Sequence, residues 1–248
     1  MDMKIKIKNK TYKLRPWAEF VLYALCIGIV FLCVLPFVKD RDPKNPNSNQ
    51  PYSTIVIDAG HGSIDSGTIG TDQTLEKDMT LKYAKELGKQ IQAINPNFKV
   101  YYTRTNDTLD WVEDDSPQFE LDDLNGRVKF SNDIRPDFFI SIHFNAISDA
   151  SVHGYSGFIK TDDEIMQNIY NSIDTNLQKN NWSKNLGIHT TAERPLHLVE
   201  FTEGHSMLFE VGFLSSPDEL SQLKEKETQS MICKAVAKAY CDQVEKMN

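Results

Sequence analysis

Four ionisable side chains stand in or beside apolar stretches of this 248-residue sequence. His61 follows a short apolar run and lies between two glycines, and Glu76 opens a segment with helical periodicity. His143 lies in the run FFISIHFNA and Glu210 in the run MLFEVGFL. Two imidazoles and a carboxylate form a ligand set that zinc favours when a fourth position stays open for water. A second carboxylate in an apolar wall can then act as general base, because burial raises its pKa.

Simpler interpretations of these residues stay open from the sequence alone. A lone histidine near the end of a strand, such as His143, is often a hydrogen-bonded structural residue. Glu210 could be buried as an ion pair with Arg104 or Arg127, since a buried carboxylate needs a partner. A site of two histidines and one carboxylate could also hold iron in an oxygenase.

The glycine-rich loop around His61 does not fit a nucleotide-binding loop. A phosphate-binding P-loop requires a lysine directly after its last glycine, and residues 63–68, which read SIDSGT, include none. Asp65 stands where the dinucleotide pattern requires its third glycine, and helical periodicity begins only about a dozen residues later. The glycines are instead expected to let the backbone turn sharply around a metal ligand.

The order of apolar patterns predicts an α/β domain with a mostly parallel sheet. Strands are predicted at 54–59, 99–104, 137–146, 155–160 and 206–214, and helices at 75–94, 124–134, 163–180 and 217–246, the last broken in two. Sites of open α/β sheets form at the carboxyl ends of the strands, so the four residues can converge on one edge.

The segment 107–123 interrupts this alternation with eight carboxylates in seventeen positions. It is expected to be a solvated surface loop. The alternative is a lid or a partner-binding element, because long loops in compact domains are often functional.

The N-terminal 52 residues differ from the rest of the chain. They carry nine of the 27 Lys and Arg but four of the 35 Asp and Glu. Six of the cations precede the nineteen uncharged residues 20–38, and about 20 apolar residues span a bilayer. We therefore expect a cytoplasmic basic segment (1–15), a transmembrane anchor (16–38), a linker (39–52) and an extracytoplasmic catalytic domain (53–248). A cleaved signal peptide, with secretion, is the alternative. The acidic body argues against a nucleic-acid partner.

Four blocks of the body resemble the zinc-dependent N-acetylmuramoyl-L-alanine amidases of the amidase-3 type. They read 57-IDAGHGSIDSG-67, 76-EKDMTLKYAKEL-87, 137-DFFISIHFNA-146 and 208-LFEVGFLSSPDEL-220. A weaker block comprises Leu124, Arg127, Ser131 and Asn132. The membrane anchor further resembles spore-cortex and germination-type members.

The resemblance implies a three-layer α/β/α domain that binds one zinc ion and cleaves the amide between N-acetylmuramic acid and L-alanine in peptidoglycan. It implies that His61, Glu76 and His143 are the ligands and that Glu210 is the catalytic base. Three further residues are predicted to support the ligands or to contact substrate, namely Asp65, Asn145 and Arg127.

The sequence departs from the family pattern at three places. The acidic segment 107–123 is longer than the usual connection. Ser63 stands where the family usually has a second glycine, and Phe144 where a small residue is common. A related zinc carboxypeptidase or aminopeptidase and a non-catalytic wall-binding domain are the alternatives.

Overall fold

The computed structural model describes residues 4–7, 10–13 and 53–247, and the chain divides into two compact units, Met1–Asn49 and Gln50–Asn248. In the first unit, β1 (Lys4–Ile7) pairs antiparallel with β2 (Lys10–Lys13). The predicted transmembrane segment 16–38 lies outside the described residues. Within the described ranges, no helix has the length and apolar character needed to cross a bilayer.

The second unit is built on a six-stranded mixed sheet. Its strands are β3 (Ser53–Ala59), β4 (Phe98–Tyr102), β5 (Phe138–Asn145), β6 (Tyr155–Ile159), β7 (Asn185–Thr190) and β8 (His205–Phe213). Their order in the sheet is β4-β3-β5-β8-β6-β7. The first four strands in this order run parallel, whereas β6 is antiparallel to β8 and parallel to β7. The predicted mostly parallel sheet is therefore confirmed.

Helices cover both faces of this sheet. They are α1 (Glu76–Ile94), α2 (Phe119–Ile134), α3 (Glu164–Lys179), α4 (His197–Phe201), α5 (Pro217–Lys224) and α6 (Lys226–Met247). One face packs on α1, α3 and α6, whose apolar residues recur at helical spacing and are buried. The other face packs on α2 and α4 through a smaller apolar cluster around Val56, Phe139 and Leu198. The result is the expected three-layer arrangement.

The two faces follow from the alternation of side chains along each strand. On β5 and β8, Ile140, Ile142 and Phe209 enter the larger apolar core. Their neighbours His143 and Glu210 point to the other face, the one covered by α2 and α4. We call the first the core face and the second the site face.

Three parts of the sequence-based prediction need correction. The strand β7 and the short helix α4 were not predicted. Helix α2 begins at Phe119, so the last residues of the acidic segment 107–123 are helical rather than part of a loop. The predicted strand 99–104 lies one to two residues earlier, at Phe98–Tyr102, because Thr103 and Arg104 turn inward to buried partners below the site.

Candidate metal centre and active site

The loop that follows β3 holds His61 in a backbone conformation that few residues adopt. His61 has a φ of 62°, in the left-handed region, and Gly62 has a φ of 139°. Gly67 lies so close to the site that an added Cβ would approach His61 Cδ2 to 2.6 Å and Glu76 Oε2 to 2.7 Å. Glycine at 67 therefore leaves the space in which the histidine and the glutamate meet.

Asp65 fixes the orientation of the His61 ring. Its Oδ2 lies 2.6 Å from His61 Nδ1, which donates the hydrogen bond, and its Oδ1 accepts from Gly67 N at 2.8 Å. A ligating histidine usually donates its other ring N–H to such an acceptor. The opposite ring nitrogen, Nε2, is thereby directed towards Glu76.

Glu76 is buried at the first residue of α1 and joins the two histidines. Its Oε1 lies 3.2 Å from His61 Nε2 and 3.1 Å from His143 Nδ1. Two backbone amides hold the carboxylate in place, since Phe144 N donates to Oε1 at 2.9 Å and Thr68 N donates to Oε2 at 2.8 Å. The helix start, the loop and the end of β5 are thus connected through one side chain.

These three residues fit a zinc ion. One ligand atom from each lies within 4.8 Å of the others. Bonds of about 2.0–2.2 Å to a tetrahedral zinc place the ligand atoms roughly 3.3 Å apart, close to the two distances from Glu76 Oε1. Burial alone would lower the pKa of His61, but the hydrogen bonds and charges of Asp65 and Glu76 raise it to about 10. The negative charges of Asp65 and Glu76 therefore stabilise a positive charge placed beside them, such as that of a cation.

Glu210 lies beside this cluster, and its charge interacts with those of His143, Glu76 and His61. In the parallel pairing of β5 and β8 it stands opposite His143. Its Oε2 is buried and, among the described residues, has no hydrogen-bond partner. Burial raises the pKa of Glu210 to about 7; His143 opposes the shift, Glu76 adds to it, and His61 and Arg194 oppose it. A carboxylate with this pKa can exchange a proton near neutral pH.

Neither arginine that could have paired with Glu210 does so. Arg127 is buried and donates to Asp58 Oδ1 at 2.6 Å, to Asp123 and to the carbonyl oxygen of His61 at 2.7 Å. Arg104 donates to the carbonyl oxygens of Ala59, Gly60, Lys77 and Asn106. Both guanidinium groups support the backbone around His61, so the interpretation of Glu210 as half of a buried ion pair is wrong.

A buried network below the site continues from Arg127. Asp58 is fully buried and also accepts from Thr103 Oγ1 and Ser141 Oγ, both at 2.6 Å. Burial would raise the pKa of Asp58, but Arg127 and the two hydroxyls hold it below its ordinary value. A buried charge that is paired and fully hydrogen-bonded in this way makes a rigid base for the His61 loop.

Of the three residues predicted to support the ligands or to contact substrate, two lie against the His61 loop and one does not. Asp65 and Arg127 contact the His61 loop, as described above. Asn145 lies at the exposed end of β5, and its side chain accepts from the amide of Ala146 at 2.8 Å. The described contacts connect it to the strand end rather than to the metal ligands.

A cleft of about 240 Å³ opens onto the site between α2 and the segment 195–198. Its lining includes His61, His143, Leu124, Glu120 and His197. Sequence reasoning assigned Glu120 to a surface loop and His197 to a loop or edge. Only the pairing of α2 with α4 places them on this cleft, and no local sequence signal indicated it.

Comparison with known proteins identifies the family. The family model described as N-acetylmuramoyl-L-alanine amidase matches residues 55–242. This chain belongs to that family. The match contains every residue of the cluster and Glu210, and the amidase-3 resemblance inferred from the sequence blocks is confirmed.

Two curated amidases are similar to this chain over different shares of their length. The germination-specific N-acetylmuramoyl-L-alanine amidase of Bacillus subtilis is 29% identical over 235 residues, which is 90% of this chain and 92% of that protein. The probable cell wall amidase LytH of Staphylococcus aureus is 27% identical over 195 residues, covering 78% of this chain and 58% of LytH.

Two solved amidase structures share the fold. The CwlD amidase of Clostridioides difficile, solved in complex with the GerS lipoprotein, has a TM-score of 0.70 and 25% identity, covering 78% of this chain and 99% of that chain. The catalytic domain of CwlV from Paenibacillus polymyxa has a TM-score of 0.66 and 25% identity, covering 78% and 98%. The α/β fold with a six-stranded mixed sheet is the fold of these amidases.

Proposed function

We propose that residues 53–248 hydrolyse the amide bond between N-acetylmuramic acid and L-alanine in peptidoglycan, with one zinc ion held by His61, Glu76 and His143. Membership of the amidase family supports the reaction. The observation that carries the assignment of roles is the buried, unpartnered Oε2 of Glu210 beside a three-ligand cluster. Burial of a carboxylate oxygen without a hydrogen-bond partner costs free energy. A catalytic role is one of the few explanations for such a group in a folded protein.

The chemistry that a zinc ion supplies when bound is polarisation of a carbonyl group and a more acidic water. Glu210, in its ionised form, accepts the proton of the attacking water and then delivers it to the alanine nitrogen as the amide bond breaks. Its pKa of about 7 suits both transfers. Asp65 keeps the His61 ring in one tautomer, and the apolar side chains of Leu124 and Leu196 line the cleft above.

Digestion of intact peptidoglycan by the purified protein tests this proposal. Amidase activity releases new amino-terminal alanine without new reducing sugar, whereas a carboxypeptidase or aminopeptidase would act on free peptides instead. A chelator should abolish release and added zinc should restore it. Stoichiometric iron in the purified protein would refute the zinc assignment, and binding without any release would favour a wall-binding domain.

The role of Glu210 has its own test in the same assay. Glu210→Gln should lower the rate by about 10²–10⁴-fold, the usual contribution of a general acid–base group. Glu200→Gln, which changes an exposed residue on α4, is the matched control and should keep the wild-type rate. A folded, zinc-loaded Glu210→Gln protein with near wild-type activity would contradict the role of general base.

We further propose that segment 16–38 anchors the enzyme in the cytoplasmic membrane, with residues 1–15 inside and 39–52 as the linker to the external domain. The uncharged run at 20–38 and the basic residues before it support this arrangement. The B. subtilis relative aligns over a larger share of this chain than residues 53–248 alone can supply, which favours a germination-type member. Membrane fractionation with external protease digestion tests both topology and cleavage.

A further inference from the structure

The acidic segment 107–123 is mostly exposed, as expected of a surface loop, but some of its residues also contact the loop that carries His61. Its first residue, Asp107, lies against the loop that carries His61. The carbonyl oxygen of Asp107 accepts from Ser63 N at 2.9 Å, and its Oδ1 lies 3.1 Å from the same amide. Further along the segment, Asp114 Oδ1 accepts from Ser63 Oγ. Ser63 is thus held at its backbone and at its hydroxyl.

Lys77 connects this contact to the second metal ligand. It directly follows Glu76 in α1, and its Nζ lies 2.6 Å from Asp107 Oδ2 and 2.6 Å from the carbonyl oxygen of Ser63. The Lys77 side chain is 14% exposed, whereas that of Asp107 is 50% exposed, so solvent partly screens this ion pair. One lysine therefore joins the acidic segment, the His61 loop and the start of α1.

The backbone of Ser63 explains why such support is needed. Its φ of 51° lies in the left-handed region, which is unfavourable for any residue with a Cβ. His61, two residues earlier, has the same unfavourable conformation. Residues in such conformations persist only where their surroundings hold them. At position 63 this chain has a serine with three contacts to the acidic segment.

The acidic segment is itself anchored on its other side. Leu109 is buried against the His61 loop, and Trp111 Nε1 donates to Asp123 Oδ1 on α2 at 2.8 Å. Gly126 leaves room for the indole, since an added Cβ would lie 2.0 Å from Trp111 Cδ1. The guanidinium of Arg127 lies 5.8 Å from the centre of the Trp111 ring. A segment fixed in this way can transmit restraint to Ser63.

We propose that Asp107, Asp114, Lys77 and Ser63 form a clamp that positions His61 and Glu76 for metal binding. Asp107 and Lys77 are positioning residues: they touch neither the substrate nor the reacting atoms. The inference rests on the zinc site proposed above. The clamp gives the exposed acidic segment a function. It also makes zinc affinity depend on contacts of residues that are not themselves ligands.

Chelator competition on the full-length chain measures the dissociation constant for zinc and tests the clamp. Asp107→Ala should weaken zinc binding by about tenfold, the lower end of the effect of losing an outer partner of a ligand. Asp107→Asn keeps an acceptor for Ser63 N but loses the charge opposite Lys77, so a smaller loss is expected. Asp110→Asn, an exposed carboxylate of the same segment, is the matched control and should bind zinc like the wild type.

A second substitution separates positioning from simple loss of negative charge. Ser63→Gly removes the unfavourable side chain from the left-handed backbone, so it should reduce the effect of Asp107→Ala to less than threefold in the double variant. An electrostatic effect of Asp107 on the cation would survive Ser63→Gly unchanged. Equal zinc affinity of wild type and Asp107→Ala, or no rescue by Ser63→Gly, would overturn the clamp.

Amide hydrogen exchange of the metal-free chain tests the clamp independently of zinc. Residues 61–68 should exchange faster in Asp107→Ala and in Asp107→Asn than in the wild type and the Asp110→Asn control. Unchanged exchange would overturn the proposal even if zinc affinity differs. If the wild type binds no zinc but both Asp107 variants still exchange faster than it does, the metal site is refuted, while the support of the His61 loop by Asp107 is not.

Discussion

The two faces of the central sheet have the same strands but opposite chemistry. On the core face, the side chains of β3, β5 and β8 are apolar and fully buried against α1, α3 and α6. On the site face, the same strands present Asp58, Ser141, His143 and Glu210. The core face is built for close packing, whereas the site face combines a paired buried charge with a carboxylate oxygen, Glu210 Oε2, that has no hydrogen-bond partner in the part of the chain that the structure describes. Stability and reactivity are thus divided between two sides of one sheet.

The largest expected effect comes from the core face. Phe209 is fully buried on the core face. Its sequence neighbours Leu208 and Glu210 lie on the site face. Phe209→Ala should lower the free energy of unfolding by about 3–5 kcal/mol, because it removes buried area and leaves a cavity. Urea denaturation measures the loss. The molecules that stay folded should keep the wild-type kcat.

Leu208→Ala is the control for that variant, since Leu208 lines the cleft on the site face and is only partly buried. It should destabilise the protein less and should change KM instead. Equal losses of stability from the two neighbouring substitutions would contradict the division between the faces.

The pH dependence of hydrolysis should report the carboxylate of the site face. Glu210 must be ionised to accept a proton, and burial raises its pKa to about 7. A bound dication favours the ionised form, so in the zinc-loaded enzyme kcat/KM should fall as pH decreases, with a midpoint at or below 7. Below that midpoint the expected slope is about tenfold per pH unit. A pH–rate profile that stays flat from pH 8 to pH 4 would exclude Glu210 as the base.

Removal of the same charge should stabilise the metal-free protein. The pKa of Glu210 is higher in the folded state than its ordinary value, so the protonated form contributes stability that is lost as pH rises through about 7. At pH 8, Glu210→Gln should therefore unfold at a higher urea concentration than the wild type. The corresponding increase in the free energy of unfolding is at most about 3 kcal/mol. At pH 4 the two proteins should be nearly equal. A destabilised Glu210→Gln at pH 8 would show that the carboxylate has a structural partner.

The smallest expected effect concerns Arg194. Its charge opposes the rise in the pKa of Glu210, and its guanidinium lies 5.5 Å from the centre of the Phe158 ring. Arg194→Met should move the acidic limb of the pH–rate profile to higher pH by less than about one unit. Lys234→Met, which removes an exposed charge on α6 beyond the core face, should leave the limb in place. A shift to lower pH would contradict the assigned sign.

The sequence predicted the core face better than the site face, for a physical reason. Strands such as β5 were recognisable because apolar side chains alternate or run without interruption. β7 was missed because all six of its residues are only partly buried and include Gly187, so no periodic signal arises. The five residues of α4 are too few to show helical periodicity.

The site residues were found where an ionisable group interrupts an apolar run, as at His143 and Glu210. Contacts between distant segments gave no such signal. Asp58 and Arg127 are separated by 69 positions, and Ser63 and Asp107 by 44, so only the folded chain brings them together. The acidic composition of 107–123 indicated solvation, and most of the segment is exposed, but it did not indicate that Asp107 and Asp114 bind the loop of His61, a proposed metal ligand.

The position of β8 in the sheet has a consequence for the order in which the enzyme becomes competent during synthesis. All three proposed ligands precede β8 in the chain, and β8 comes last among the described strands although it lies between β5 and β6 in the sheet. Without residues 205–213 the sheet is divided into two pieces, and Glu210, the proposed general base, is missing. We therefore expect a chain truncated before residue 205 to lack hydrolytic activity.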